Sequence, residues 1–125
     1  MTGNPIAWFE IYVQDLERAQ QFYEAVFQVT LQPLTAPIPG IAMLAFPADR
    51  ERYGATGALV KMDEGCPAGN STLVYFSCED CAVEASRVVE AGGQIHRAKF
   101  PIGQYGHIAL IHDTEGNLVG LHSMT

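Results

Sequence analysis

The stretch WFEIYVQDLERAQQFYEAVF, residues 8–27, decides the fold. Side chains of a strand switch faces at every residue, so Phe9, Ile11 and Val13 share one face while Trp8, Glu10 and Tyr12 share the other. At Asp15 the period changes. Asp15 is placed to cap a helix in which Leu16, Ala19, Phe22, Tyr23, Val26 and Phe27 recur at helical spacing, opposite Glu17, Arg18, Gln20, Gln21 and Glu24. A strand therefore runs into an amphipathic helix. One strand face is core, and the other, with a carboxylate between two aromatics, is free to line a cavity.

Beyond this helix come the short runs VTLQPL, APIPG and GIAMLAF, a polar loop PADRERYGA, and TGALVKM, which together give the order β-α-β-β-β. The order then repeats. TLVYFSCED sets Val74, Phe76 and Cys78 on one face, Asp80 caps a second helix expected to run through Ala91, and the glycines of AGG end it. Strands follow in GQIHRAKF, GHIALIH and GNLVGLHS, with DTEGN as a tight hairpin turn. The copies align as Ile11–Asp15 with Phe76–Asp80 and GIAMLAF with GHIALIH, a match of pattern rather than identity. The expected architecture is α+β: one domain, 1–125, of two tandem βαβββ modules, 1–66 and 70–125, joined at EGCPAGN. Their sheets are expected to form a curved, cup-shaped mixed sheet with helices outside.

At 125 residues the chain is long enough for a substantial core, and 48% hydrophobic with 17% charged residues is ordinary for a globular domain. A net charge of −7 supplies no basic stripe to displace counterions, which argues against nucleic acid. No apolar run approaches the roughly 20 residues needed to span a bilayer. The start MTGNPIAW lacks the charged-then-apolar design of a secretory signal. The expectation is a soluble cytoplasmic protein with no membrane partner. Cys66, Cys78 and Cys81 are odd in number and irregular in spacing, unlike a disulfide framework. Cys78 and Cys81 form a CxxC at a helix start, where a thiolate is favoured, but both also continue apolar faces and read more simply as packing residues.

The paired plan, the IYVQDLERAQQFYEAVF opening and the pairing of AGGQI with HDTEGNLVGL resemble the vicinal oxygen chelate superfamily, which includes glyoxalase I, bleomycin and fosfomycin resistance proteins and extradiol dioxygenases. WFEIYV, TGALVK, TLVYFS and GHIAL with DTEGNLVGLHS are similar, more narrowly, to a small glyoxalase-like subgroup of two-module chains. The resemblance implies a divalent ion held by His, Gln and Glu on inner strands. Counting back from each helix-starting aspartate, however, the first ligand positions are Trp8 and Leu73, and the usual glutamate, three residues after Asn117, is Gly120. The matching strand TGALVKM offers only Lys61. These substitutions remove the donors such an ion needs, so the expected metal and cofactor complement is none. A divalent metal at a shifted site drawn from Glu10, His107, His112 and His122 is the alternative.

On this resemblance Glu10 faces the cup, where an isolated buried carboxylate is costly. It is open to three readings: a structural hydrogen bond to a neighbouring strand or to a tyrosine, a polar anchor for ligand, or a general acid or base. Tyr75 and Ser77 have the matching parity in module two, and His122 shares the face of Gly120. Trp8 and Tyr12 either stack on a planar ligand or fill the inner surface; Lys61 either binds an anion or is solvated on a short edge strand. Tyr53 in the polar loop is a possible contact, and Gly103 and Gly106 in FPIGQYGH would permit a flap. The expected function is metal-free binding of an apolar or aromatic small molecule by Trp8, Glu10, Tyr12, Tyr75, Ser77 and His122. The alternative is a glyoxalase-like lyase or isomerase using a shifted metal or Glu10 as its catalytic base. Apolar strand edges favour a homodimer, with the modules paired within or between chains.

Overall fold

The computed structural model describes residues 6, 8–35, 39–63 and 72–125. The EGCPAGN junction and Cys66 lie outside the described residues, as does most of APIPG. Strand β1 (Phe9–Tyr12) leads into α1 (Leu16–Phe27), followed by β2 (Gln32–Leu34), β3 (Ile41–Ala45) and β4 (Gly57–Met62). Module two repeats the order with β5 (Tyr75–Ser77), α2 (Cys81–Ser86), β6 (Gln94–Pro101), β7 (His107–His112) and β8 (Leu118–Ser123). The sheets are four-stranded, β1-β4-β3-β2 and β5-β8-β7-β6. In each, the strand before the helix pairs parallel with the last strand, and the other pairs are antiparallel. This is the expected α+β class of two βαβββ modules.

Both helices start where their aspartates accept backbone hydrogen bonds: Arg18 N–H donates to Asp15 Oδ1 at 3.0 Å and Ala82 N–H to Asp80 Oδ1 at 3.0 Å. The first helix ends at Gln28 in the left-handed conformation. The second is shorter than its pattern suggested. It gives way at Arg87, where Arg87 N–H bonds back to Glu84 and Val88 N–H to Ala85, only three residues behind. Turns carry the chain on from there to Gly92, at φ 102°.

One apolar core serves both modules. The helix-side faces of β1 and β4 supply Ile11 and Leu59, those of β7 and β8 supply Ile111, Val119 and Leu121, and Phe22, Tyr23, Val26, Cys81 and Val88 fill the layer between. Phe76 of β5 stacks on Phe27 of α1 at 4.5 Å and meets Phe9 of β1 edge-on at 5.6 Å. The first helix therefore packs against both modules. Tyr23 is fully buried, and its hydroxyl donates to Asp113 at 2.8 Å; burial and the neighbouring carboxylate push its pKa well up, so it stays a phenol.

The β7–β8 turn clasps the start of α1. Glu115 accepts from the backbone N–H of Gln14 (3.1 Å) and Asp15 (3.0 Å) and from the Arg18 guanidinium at 2.7 and 2.9 Å. Asn117 Nδ2 donates to the Tyr12 carbonyl at 3.2 Å. Burial would raise the Glu115 pKa, but the Arg18 guanidinium and these N–H donors outweigh it and bring it down to about 2.

Candidate functional site

Because the helix-side faces of both sheets are spent on the shared core, the opposite faces lie at the surface. On β1 that face carries Trp8, Glu10 and Tyr12, as parity requires. The Trp8 indole N–H donates to Glu10 Oε2 at 3.2 Å, and the Tyr12 hydroxyl donates to Glu10 Oε1 at 2.8 Å. One carboxylate thus pins two aromatic side chains two residues to either side of it. The hydrogen bond to Glu10, with some burial, raises the Tyr12 pKa, so Tyr12 remains the donor. Trp8 is 42% exposed, so a broad apolar ring faces outward from this strand. The register Glu10↔Ala58 and Tyr12↔Val60 puts two buried small residues beside this array.

In module two the register Tyr75↔Gly120 and Ser77↔His122 sets these four residues on the open face. The Tyr75 ring lies over Gly120, occupying the volume a side chain there would need, and is 47% exposed. Ser77 is exposed. His122 Nε2 lies 2.7 Å from the Tyr105 carbonyl, which can only accept, so this nitrogen carries the proton. That bond, with Ile102 N–H to the Gly106 carbonyl at 2.9 Å, ties the 3-10 turn Gly103–Tyr105 to β8. Trp8, Glu10 and Tyr12 stand on one sheet and Tyr75, Ser77 and His122 on the other, and no hydrogen-bond ladder joins the two sheets among the described residues.

Other sequence candidates fall elsewhere. Lys61 pairs with Ala42 and shares the face of Leu59, away from Glu10; its strand is interior to the sheet, not an edge as expected. Tyr53 is 92% exposed in a loop whose base is closed by Thr56 Oγ1 on the Pro47 carbonyl at 2.7 Å. His107 pairs with Ser123 and so lies on the helix side, whereas His112 pairs with Leu118 on the open face.

The residues do not fit the divalent ion that the resemblance implies. Trp8 offers an N–H donor already given to Glu10, Gly120 is roofed by Tyr75, Leu73 is aliphatic, and the register equivalent of Gly120 in β4 is Ala58. Among the described residues, no three His, Cys, Asp or Glu side chains converge as a ligand set, and the four members of the shifted alternative are dispersed. The CxxC is inert for a physical reason. Burial, then the charge of Glu84, pushes the Cys78 thiol up to about 12, and Cys81 is fully buried with its N–H donated to Ser123 Oγ at 3.0 Å. Native alkylation at pH 8 should therefore leave Cys78 and Cys81 unmodified while denaturation exposes both. Peptide mass mapping that finds Cys78 labelled in minutes under native conditions would overturn this reading.

Comparison with known proteins follows the geometry. A family model described as bleomycin resistance protein-like N-terminal matches residues 6–45, which is the β1-α1-β2-β3 portion. A glyoxylase/bleomycin resistance protein/dioxygenase domain from Frankia sp. EAN1pec superposes over 98% of this chain and 98% of its own, at TM-score 0.72 and 15% identity. The chain carries the vicinal oxygen chelate fold. A hypothetical protein from S. aureus agrees over 98% of this chain and 95% of its own, at TM-score 0.69 and 19% identity. Glyoxalase I from Zea mays agrees over 96% of this chain but 46% of its own, at TM-score 0.69 and 21% identity. No curated protein matches the sequence. At these identities the vicinal oxygen chelate fold is what is shared, and the site must be argued from its own residues.

Further residues, not expected from the sequence as site residues, shape this face. Ala58 and Val60 floor the Glu10 face, and Glu115 fixes the strand-to-helix corner beside it. Small residues in TGALVKM were the available signal for the floor. Nothing in DTEGN pointed to the corner, because its partners lie about a hundred positions away.

Proposed function

We propose that the chain is a metal-free small-molecule binding protein of the vicinal oxygen chelate fold. It holds an apolar or aromatic ligand against Trp8 and Tyr12, with Glu10 as the polar contact. The observation that carries this reading is the Trp8–Glu10–Tyr12 array, in which two partly exposed aromatics are held in fixed positions by one carboxylate on an open sheet face. Fixed aromatics present flat apolar area at little further entropic cost, and a carboxylate selects a donor-bearing ligand.

The second wall of the site is assigned to Tyr75, Ser77 and His122 of another copy. Each chain spends both helix-side faces on its own core and leaves Trp8, Leu34 and Tyr75, each at least 40% exposed, on the open ones. Pairing module one of one chain with module two of a second covers that surface and closes a cup, making the protein a homodimer. The second reading, a glyoxalase-like lyase or isomerase in which Glu10 moves a proton, is disfavoured by the Trp8 and Tyr12 hydrogen bonds, since donors on both oxygens stabilise the carboxylate and weaken it as a base.

The test is Glu10→Gln, which keeps the shape but removes the charge and one acceptor. The fold is expected to survive, by circular dichroism, while affinity for a planar aromatic probe such as anilinonaphthalene sulfonate changes by at least about fivefold, the effect of roughly 1 kcal/mol of lost or gained interaction. Equal affinity in both proteins would assign Glu10 to structure alone.

A further inference from the structure

We infer that the outer edge of module two carries a binding site for a borderline divalent ion such as zinc or nickel, formed by the imidazoles of His96 and His112. It is separate from the ligand site proposed above, which itself uses no metal, and shares no residue with it. His112 ends β7, and His96 lies in the neighbouring edge strand β6. The pairing of these strands shifts register between Ile95 and Arg97, so His96 is the extra residue of a bulge, the kind of irregularity that re-aims a side chain. The result is that the two rings stand with centroids 5.1 Å apart and planes at 86°.

Two imidazoles sharing a tetrahedral ion at about 2.0–2.1 Å from one nitrogen each have centroids on the order of 5 Å apart. The observed spacing thus lies within the range a shared ion requires. Among the described residues neither ring makes a hydrogen bond, and the two meet edge to face. By contrast, His122 is committed to the Tyr105 carbonyl. Both rings of the pair are at least partly exposed, so their lone pairs are accessible to an ion from solvent.

Beside His112 opens a cavity of about 360 Å³, lined also by Gln94, Thr114, Gly92 and Gly116. Gln94 pairs with His112 in the sheet and lines the same rim. Asp113 lines the cavity too, but its oxygens are taken by Tyr23, Asn117 and two turn N–H groups, so it is not a free ligand. The site therefore offers two protein nitrogens and room for water or an exogenous donor in the remaining positions. Imidazole suits zinc, copper and nickel, and the net charge of −7 favours a cation over an anion.

The experiment is equilibrium dialysis of the untagged chain against zinc alone, with bound metal measured by elemental analysis. One ion per chain is expected. His96→Ala and His112→Ala should each weaken binding by more than about tenfold, since losing even an outer-shell partner of a metal ligand costs that much. Circular dichroism verifies that these surface variants fold. In parallel, substoichiometric copper added to the wild-type chain should broaden amide resonances of residues 94–97 and 110–114 first. Unchanged zinc affinity in both variants, or broadening centred elsewhere in the wild-type chain, would overturn the assignment.

Discussion

Gly57→Ala is expected to lower stability by about 3 kcal/mol and Tm by roughly 10 °C. Gly57 lies opposite Phe9 in the parallel β1–β4 pair, and a methyl group there would fall on the Phe9 carbonyl oxygen and against the Phe9 ring. The carbonyl belongs to the backbone of a paired strand and cannot swing aside. The ring is also fixed, because it packs on Phe46 at 5.6 Å and Phe76 at 5.6 Å. Relief therefore requires the strands to part. Gly120→Ala makes the contrast. The three atoms nearest its methyl would all belong to the ring of Tyr75, a half-exposed side chain free to turn outward, so a cost under about 1 kcal/mol is expected. Urea unfolding of both variants checks the pair. A Gly57→Ala protein as stable as wild type would mean that β1 and β4 do not pair in this register.

Glu115→Gln is expected to cost about 2–3 kcal/mol at neutral pH, because it removes a buried negative charge while leaving five donors aimed at the site. The Glu115 side chain is 1% exposed and Arg18 is 50% exposed, so the smaller end of the range for broken ion pairs applies. The same carboxylate sets a pH signature. Its folded-state pKa, about 2, lies below the value of about 4.3 expected for glutamate in an unfolded chain. A depressed carboxylate stabilises the fold above the unfolded value, and that contribution is lost as pH falls from about 4.3 toward about 2. Wild type should lose stability across that window, and Glu115→Gln should lose less over the same range. Parallel pH–stability curves would remove Glu115 from the clasp.

What could be read in the sequence was local. Strand parity alone separated Phe9, Ile11 and Val13 from Trp8, Glu10 and Tyr12, and the two aspartates marked both helix starts, because alternation and capping act over a few residues. The fold followed from repeating that unit. What was hidden was long-range or depended on register. The clasp joins Glu115 to residues 14–18, the Tyr23–Asp113 hydrogen bond spans 90 positions, and Lys61 moved from an expected edge to an interior strand once the order β1-β4-β3-β2 was fixed. The second helix stopped early, its backbone changing to three-residue bonds at Arg87 and Val88 although the apolar pattern continued to Ala91. Glu10 stands out from its neighbours, and a tyrosine is among its expected partners, but Tyr12 in particular and the Trp8 indole are not. The indole and phenol that satisfy it are its own strand neighbours, and only coordinates show that their reach and angles close both bonds.

The central claim is that the Trp8 face is a working surface, completed by a second copy. Trp8 is the sole tryptophan of the chain, so its emission reports on that face and nothing else. The direct measurement is its emission maximum as the protein is diluted from micromolar to nanomolar concentration. Shielded, blue-shifted emission at the high end, moving red as the copies part, is the predicted result. A maximum typical of water-exposed indole at every concentration would contradict the claim.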